Sequence, residues 1–339
     1  MSRFALYNRV FVIEEPIEEV SDFYKLRKDS ETNNLWIIQL YVSKKNSIEK
    51  RALVLRALID SLFHSKNVKE YMLWYYTPMA LEYSNHLHPS LIIYDCMDEL
   101  SAFKFAPPEL KRIEGSLLKI ADVVFTGGHS LYEAKKYLHH NVHSFPSSID
   151  KLHFHSARIK GVDPLDQAKI PYPRFGFYGV IDERFHISLI SELARRRADW
   201  HFIFIGPVIK IDPSILPAGE NIHYLGSKNY SELPSYLSEW DVAIIPFELN
   251  ESTKYISPTK TPEYLAGGKP VISTSITDVI SPYARLGLVH IADSAEEFIV
   301  TAEKILTEKN NSDWKLRVDK YLENISWNKT WHKMTEVIE

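Results

Sequence analysis

Apolar and polar positions follow two rhythms along this chain. Short, nearly continuous runs of Val, Ile, Leu, Tyr and Phe alternate with longer stretches in which apolar residues recur three and four apart. That alternation of buried strand and amphipathic helix marks an α/β protein with parallel sheets. In the first half the runs predict strands over Val10–Glu14, Leu35–Val42, Met72–Tyr76, Leu91–Asp95 and Asp122–Thr126. Helices are predicted between them, near 47–65, 78–87, 108–120 and 129–138. Residues 141–170 break the rhythm with Pro146, Gly161, Pro164 and weak periodicity, and read as an interdomain connection. A second series then predicts strands over Arg174–Tyr178, His201–Ile205, Ile222–Leu225, Asp241–Pro246, Pro270–Thr274 and Leu288–Ile291. Its helices fall near 186–198, 230–239, 258–267, 294–308 and 312–324, and a last helix covers 326–339. The expected fold is α/β: two Rossmann-like domains over 1–150 and 165–325, with the last helix packing back on the first.

Composition narrows the class. A length of 339 residues suits about two domains, and 45% hydrophobic with 25% charged residues excludes bulk disorder. A net charge of −4 provides no global footprint for nucleic acid. One cysteine, Cys96, excludes a disulfide framework and any multi-thiolate metal site. The apolar runs are far too short to span a bilayer, and residues 1–30 lack a signal-peptide core, so a cytoplasmic location is expected. Glycine is unevenly spread: of 12, none precedes Gly115 and nine lie beyond residue 160. Glycine marks tight turns and close backbone approaches, so the two halves are expected to do different work.

The most informative segment runs from Ser257 to Thr274. Ser257 reads as an N-cap and Pro258 as the first helical residue, which leaves the next N–H groups free to face an anion. Thr259 and Lys260 lie in that first turn, where Lys260 adds a full charge against a phosphate. Glu263 is three residues further on and shares its face, placed to accept hydrogen bonds from a vicinal diol such as ribose. Gly267 and Gly268 end the helix. The pattern outlines a nucleoside-diphosphate site; a capped helix with a solvated Lys260–Glu263 pair would show the same spacing.

This block resembles the donor-binding motif of the family 4, group 1 glycosyltransferases, and more closely a bacterial subgroup from polysaccharide synthesis. The resemblance extends to Tyr94–Leu100, Ala121–Gly127 and Ser130–Lys135 in the first half. In the second it covers Phe175–Arg184, Phe204–Val208, Ile222–Gly226, Asp241–Phe247 and Asn250–Thr253. It implies the two-domain GT-B architecture and a nucleotide-sugar donor, a uridine diphosphate sugar, with no bound cofactor or metal. By that pattern Glu263 holds the ribose and Lys260 the diphosphate, with Gly179 and Arg184 as further diphosphate contacts. The implied acceptor is a saccharide or lipid-linked saccharide of a surface polysaccharide, with peripheral association at the cytoplasmic membrane face.

Two departures stand out. The wider family carries a second acidic residue eight positions before the ribose glutamate, where this chain has Tyr255; Asn250, Glu251 and Thr253 are substitute contacts for the donor sugar. Related sequences also open with a strand and a loop, whereas Met1–Tyr7 resembles the tail of the first helix. Either the start is misassigned or the first domain lacks its first strand, and the fold expected here is the one without it. A catalytically degenerate nucleotide-sugar-binding or assembly subunit is the alternative reading.

For catalysis, Asp98 and Asp95 follow directly on a buried strand and are candidates for the base near the acceptor hydroxyl, Asp98 ahead of Asp95. The histidine-rich stretches 139–143 and 153–155 read as solvated loops rather than ligand sets, and His129 as a minor cleft candidate. The basic edge of the helix near Lys44–Arg56 reads as a solvated face, with an anionic membrane as the alternative partner.

Overall fold

The predicted strands assemble into three sheets. In the computed structural model, residues 1–159, 161–308 and 312–339 are described. The first half contains strands β1 (Val10–Ile13), β2 (Ile17–Glu19), β3 (Phe23–Lys28) and β4 (Leu35–Ser43), then helix α1 (Ile48–Ser65). It continues through β5 (Met72–Tyr75), α2 (Leu81–Ser84), β6 (Leu91–Cys96), α3 (Leu110–Ile120), β7 (Val123–Thr126), α4 (His129–Lys135) and β8 (Val142–Ser144). A short helix, α5 (Lys151–His155), crosses to the second half.

The first half is not one sheet. β1 and β2 run parallel along one edge of β4, and β3 lies antiparallel on the other. A separate parallel sheet has the order β5–β6–β7–β8. Among the described residues β1 pairs only with β4, and β5 only with β6. A doubly wound domain places its first strand between two such edges and ladders to both; without that strand the sheet falls into two. Residues 1–9 make a single 3-10 turn instead, and Phe4 packs edge-on against Trp74 of β5 at 5.1 Å.

The second half comprises β9 (Arg174–Tyr178), α6 (Ile187–Arg196), β10 (His201–Ile205), β11 (Ile222–Tyr224), α7 (Leu233–Ser238) and β12 (Val242–Ile245). After these come α8 (Lys260–Ala266), β13 (Val271–Ser273), α9 (Thr277–Val279), β14 (His290–Ile291), α10 (Ala295–Thr307) and α11 (Ser312–Leu322). Its six parallel strands have the order β11–β10–β9–β12–β13–β14. β9 (Arg-Phe-Gly-Phe-Tyr) and β10 (His-Phe-Ile-Phe-Ile) are buried almost throughout, as the inner strands of a parallel sheet are. Strand order reverses between β9 and β12, and that switch point opens the crevice in which open α/β sheets bind ligands.

The final helix, α12 (Trp327–Ile338), returns to the first half, where Met334, Val337 and Ile338 pack on Ile93, Val123 and Phe125.

Several elements differ from the sequence reading, the three-residue strand β2 among them. β3 was not expected, because Phe-Tyr-Lys-Leu-Arg-Lys is charged on alternate positions and has no neighbour on its outer edge. β8 and α5 fall inside the expected connection; β8 is three residues long and is defined by its ladder to β7. The helix expected from Pro258 starts two residues later, with Thr259 as its cap and in helical backbone, and no side chain caps it.

Candidate functional site

Two segments of the second domain meet at the switch point, the loop after β9 and helix α8. β9 ends on Tyr178 and turns at Gly179, whose φ of +144° is left to glycine. A Cβ at Gly179 would stand 2.2 Å from Lys260 Cε, so the missing side chain is what admits Lys260. The Lys260 ammonium lies 5.6 Å from the centre of the Phe177 ring. It has no hydrogen-bond or carboxylate partner among the described residues, and burial pushes its pKa down. The solvated Lys260–Glu263 pair allowed by the spacing is therefore not formed.

Glu263 has a different neighbour. Its Oε2 accepts the Tyr178 hydroxyl at 2.9 Å, while the Tyr264 hydroxyl accepts the backbone N–H of Tyr178 at 3.0 Å. Burial pushes the Glu263 carboxyl up to about 7, against the opposing pull of the Tyr178 hydrogen bond and the Lys260 charge. An unpaired cation and a carboxylate, both half-buried beside a backbone turn, match what a diphosphate and a diol require.

Arg184 follows on the same loop. Its guanidinium is gripped by Asp182 through Nε at 2.9 Å and Nη2 at 2.6 Å, and stands over the rings of Phe103 at 5.4 Å and Phe247 at 5.8 Å. Phe103 belongs to the first domain, so this pair spans the cleft. Asp98 also lies within the electrostatic reach of Arg184; burial raises its carboxyl and Arg184 opposes the rise.

The other predicted residues are spread around this centre. Ser257 does not cap α8; its Cβ closes on Gly128 of the first domain, where an added Cβ would lie 2.9 Å away. Thr253 is buried, and its hydroxyl is consumed within its own loop, donating to the Glu248 carbonyl and accepting from Asn250 N–H at 3.0 Å. Asn250 Oδ1 likewise accepts from Ser252. Tyr255, at the family's second acidic position, packs against the core of the first domain.

Asp95 is a strand residue of β6. Its Oδ2 accepts the Trp74 indole N–H at 3.0 Å, and burial pushes its carboxyl up to about 6. It lines a cavity of ≈ 320 Å³ with Trp74, Tyr76, Trp327 and Trp331, the last two supplied by α12. Asp98 and Asp95 thus have different surroundings: Arg184 stands near one, and the other lines an aromatic cavity.

Three histidines of the histidine-rich stretches are engaged in hydrogen bonds within the protein. His139 Nε2 meets the Ala121 carbonyl at 2.9 Å, His143 Nε2 meets Asn141 Oδ1 at 2.7 Å, and His153 Nε2 meets the Tyr230 carbonyl at 2.9 Å. Sequence reasoning gave no separate role to Tyr178, Phe103 or Asp278. Tyr178 carried one available signal, its place immediately before the loop glycine.

Residues 173–308 match the family described as "Glycosyl transferases group 1". That stretch contains Gly179, Arg184, Lys260 and Glu263, and the match decides the class. The protein is a glycosyltransferase of the GT-B fold. A putative teichuronic acid biosynthesis glycosyltransferase, TuaH of Bacillus subtilis, is 26% identical over 279 residues, which cover 77% of this chain and 70% of the relative. Sucrose-phosphate synthase from Thermosynechococcus elongatus superimposes with a TM-score of 0.72 at 13% identity, covering 99% of this chain and 90% of its own. HepE of Anabaena, solved in complex with UDP, gives 0.64 at 12% identity over 88% of this chain and 85% of its own. At such identities these two structures establish the fold of the glycosyltransferase and nothing finer. No helix among the described residues is long and apolar enough to cross a membrane.

Proposed function

We propose that this glycosyltransferase moves a sugar from a uridine diphosphate sugar to a saccharide or lipid-linked saccharide acceptor during surface-polysaccharide synthesis. The observation that carries the donor half is the unpaired Lys260 ammonium lodged at Gly179 beside Glu263. Lys260 would neutralise the leaving diphosphate, Arg184 would add charge at the cleft, and Glu263 would take the ribose hydroxyls. No metal or cofactor is assigned a role in this scheme. Asp98, within reach of Arg184 from the first domain, is the proposed base for the acceptor hydroxyl. The aromatic cavity beside Asp95 fits a saccharide, whose ring faces lie flat on indoles while a carboxylate accepts its hydroxyls. Support for the UDP donor comes from the HepE complex, and support for polysaccharide synthesis from the TuaH relative.

Peripheral membrane association is part of the same proposal. The exposed Ile48 and Leu53 of α1 stand among Lys44, Lys45 and Lys50, a basic and apolar edge suited to anionic headgroups.

Calorimetry with UDP tests the donor site: Glu263→Ala and Lys260→Ala should each weaken binding by tenfold or more (~1.4 kcal/mol). Unchanged affinity in both variants would remove the assignment. Released diphosphate from a panel of nucleotide sugars then identifies the donor.

A further inference from the structure

Glu263 cannot act as a freely rotating carboxylate. One of its oxygens is already engaged by Tyr178, and Tyr178 is itself buried among aromatic rings. It is 4% exposed, its ring meets Tyr264 edge-on at 4.8 Å, and Trp240 lies 5.9 Å away. Its backbone N–H is tied to the Tyr264 hydroxyl, so the strand end and the helix are locked together on both sides of Glu263. The remaining oxygen, Oε1, has no partner among the described residues.

We propose that Tyr178 is a positioning residue for the donor site, holding Glu263 by Oε2 so that Oε1 alone is presented to the ribose. This rests on the reading of Glu263 as the ribose contact. Holding a three-rotor side chain in one orientation before the ligand arrives removes an ordering cost from binding. The Tyr178 hydroxyl is suited to the task because burial keeps it protonated at all working pH values, so it always donates. It also favours the ionised carboxylate that a ribose hydroxyl needs as acceptor, opposing the burial that raises Glu263.

The groups facing Glu263 are few. Lys260 and Tyr264 share its helix, Tyr178 comes from β9, and Tyr230 from the turn before α7. α5 and α11 also pack on α8; α5 carries Lys151, His153 and His155, and α11 carries Asp313, Lys315, Arg317, Lys320, Tyr321 and an Asp319 already paired with Arg158 at 2.7 Å.

Tyr178→Phe keeps the ring and removes only the hydroxyl. UDP affinity is measured by calorimetry from pH 6 to 9 for wild type, Tyr178→Phe, Glu263→Gln and the double variant. Ratios to wild type cancel the titration of the ligand itself. Tyr178→Phe should bind about tenfold more weakly (1.4 kcal/mol per tenfold), and its loss should be deepest on the acid side, because an undonated carboxyl stays protonated to higher pH. The double variant should bind no more weakly than Glu263→Gln alone, since Tyr178 acts through that carboxylate. A Tyr178→Phe loss that simply adds to that of Glu263→Gln would mark a structural role and overturn the proposal. Wild-type affinity in Tyr178→Phe alongside weakened Glu263→Gln would overturn it as well, leaving the donor site standing. Unchanged affinity in Glu263→Gln would overturn both.

Discussion

The Asp278 carboxylate of the second domain accepts the backbone N–H of Ser130 in the first, at 2.9 Å, and its other oxygen accepts that of His129 at 2.9 Å. One side chain thereby satisfies two of the N–H groups that open α4, from across the domain boundary. Gly128 makes room for it: a Cβ there would stand 2.2 Å from Asp278 Oδ2. Asp278→Ala should lower the unfolding free energy by about 1–3 kcal/mol, because it strands two buried donors. Asp278→Asn, which keeps one acceptor oxygen, should lose less. Urea titration of the two variants gives both values.

Gly179 is expected to tolerate no side chain. Gly179→Ala sets a Cβ against Lys260 and forces a φ of +144° on alanine. Calorimetry should show UDP binding weakened by roughly tenfold or more, as Lys260 is pushed from its seat (1.4 kcal/mol per tenfold).

Asp98→Asn should reduce sugar transfer by about 100-fold while UDP binding is retained, since an amide cannot take a proton from the acceptor. Initial rates with saturating donor, together with calorimetry, separate the two effects. Retained turnover would move the base elsewhere.

Glu263 makes stability depend on pH in a known direction. Its folded-state pKa, about 7, lies above the ordinary carboxylate value, so the folded protein binds a proton that the unfolded chain has released. That contribution is fully present below the unfolded value and is lost as pH rises through about 7. In ligand-free protein, wild type should lose on the order of 1–2 kcal/mol between pH 5 and 8 that Glu263→Gln does not lose, allowing for solvent screening. Denaturant midpoints across that range provide the comparison.

The first domain contains a buried charge cluster whose interruption should be costly. Lys135 Nζ reaches Glu114 at 2.8 Å and Glu99 at 2.7 Å, and the Tyr94 hydroxyl donates to Glu114 at 2.8 Å. Lys135→Met leaves Glu114 uncompensated in the interior and should destabilise by about 3–5 kcal/mol. Lys135→Met combined with Glu114→Gln should recover part of that loss, which a thermal melt of each variant would reveal.

The amino-acid sequence by itself determined most of the strand series, the two-domain α/β organisation and the helix that carries Lys260 and Glu263. Buried parallel strands favour apolar runs, and Phe202–Ile205 and Val242–Ile245 carry them; a helix opening with Lys260 and Glu263 is a local pattern within four residues. The break in the first sheet was also legible, as an opening segment with no strand-forming run. Tertiary structure alone decided the rest. β3 is charged on alternate positions and exists through its ladder to β4, and β8 is defined by β7. That Thr253 spends its hydroxyl on its own loop, that Asp95 and Asp98 have different surroundings, and that Lys260 and Glu263 do not pair all depend on which backbones approach one another. The same holds for Tyr178 on Glu263, 85 residues apart, and for Asp278 on α4, 148 residues from Ser130. Local patterning sets which elements form. Hydrogen-bond partners chosen across the switch point and the domain boundary are long-range, and no periodicity along the chain encodes them.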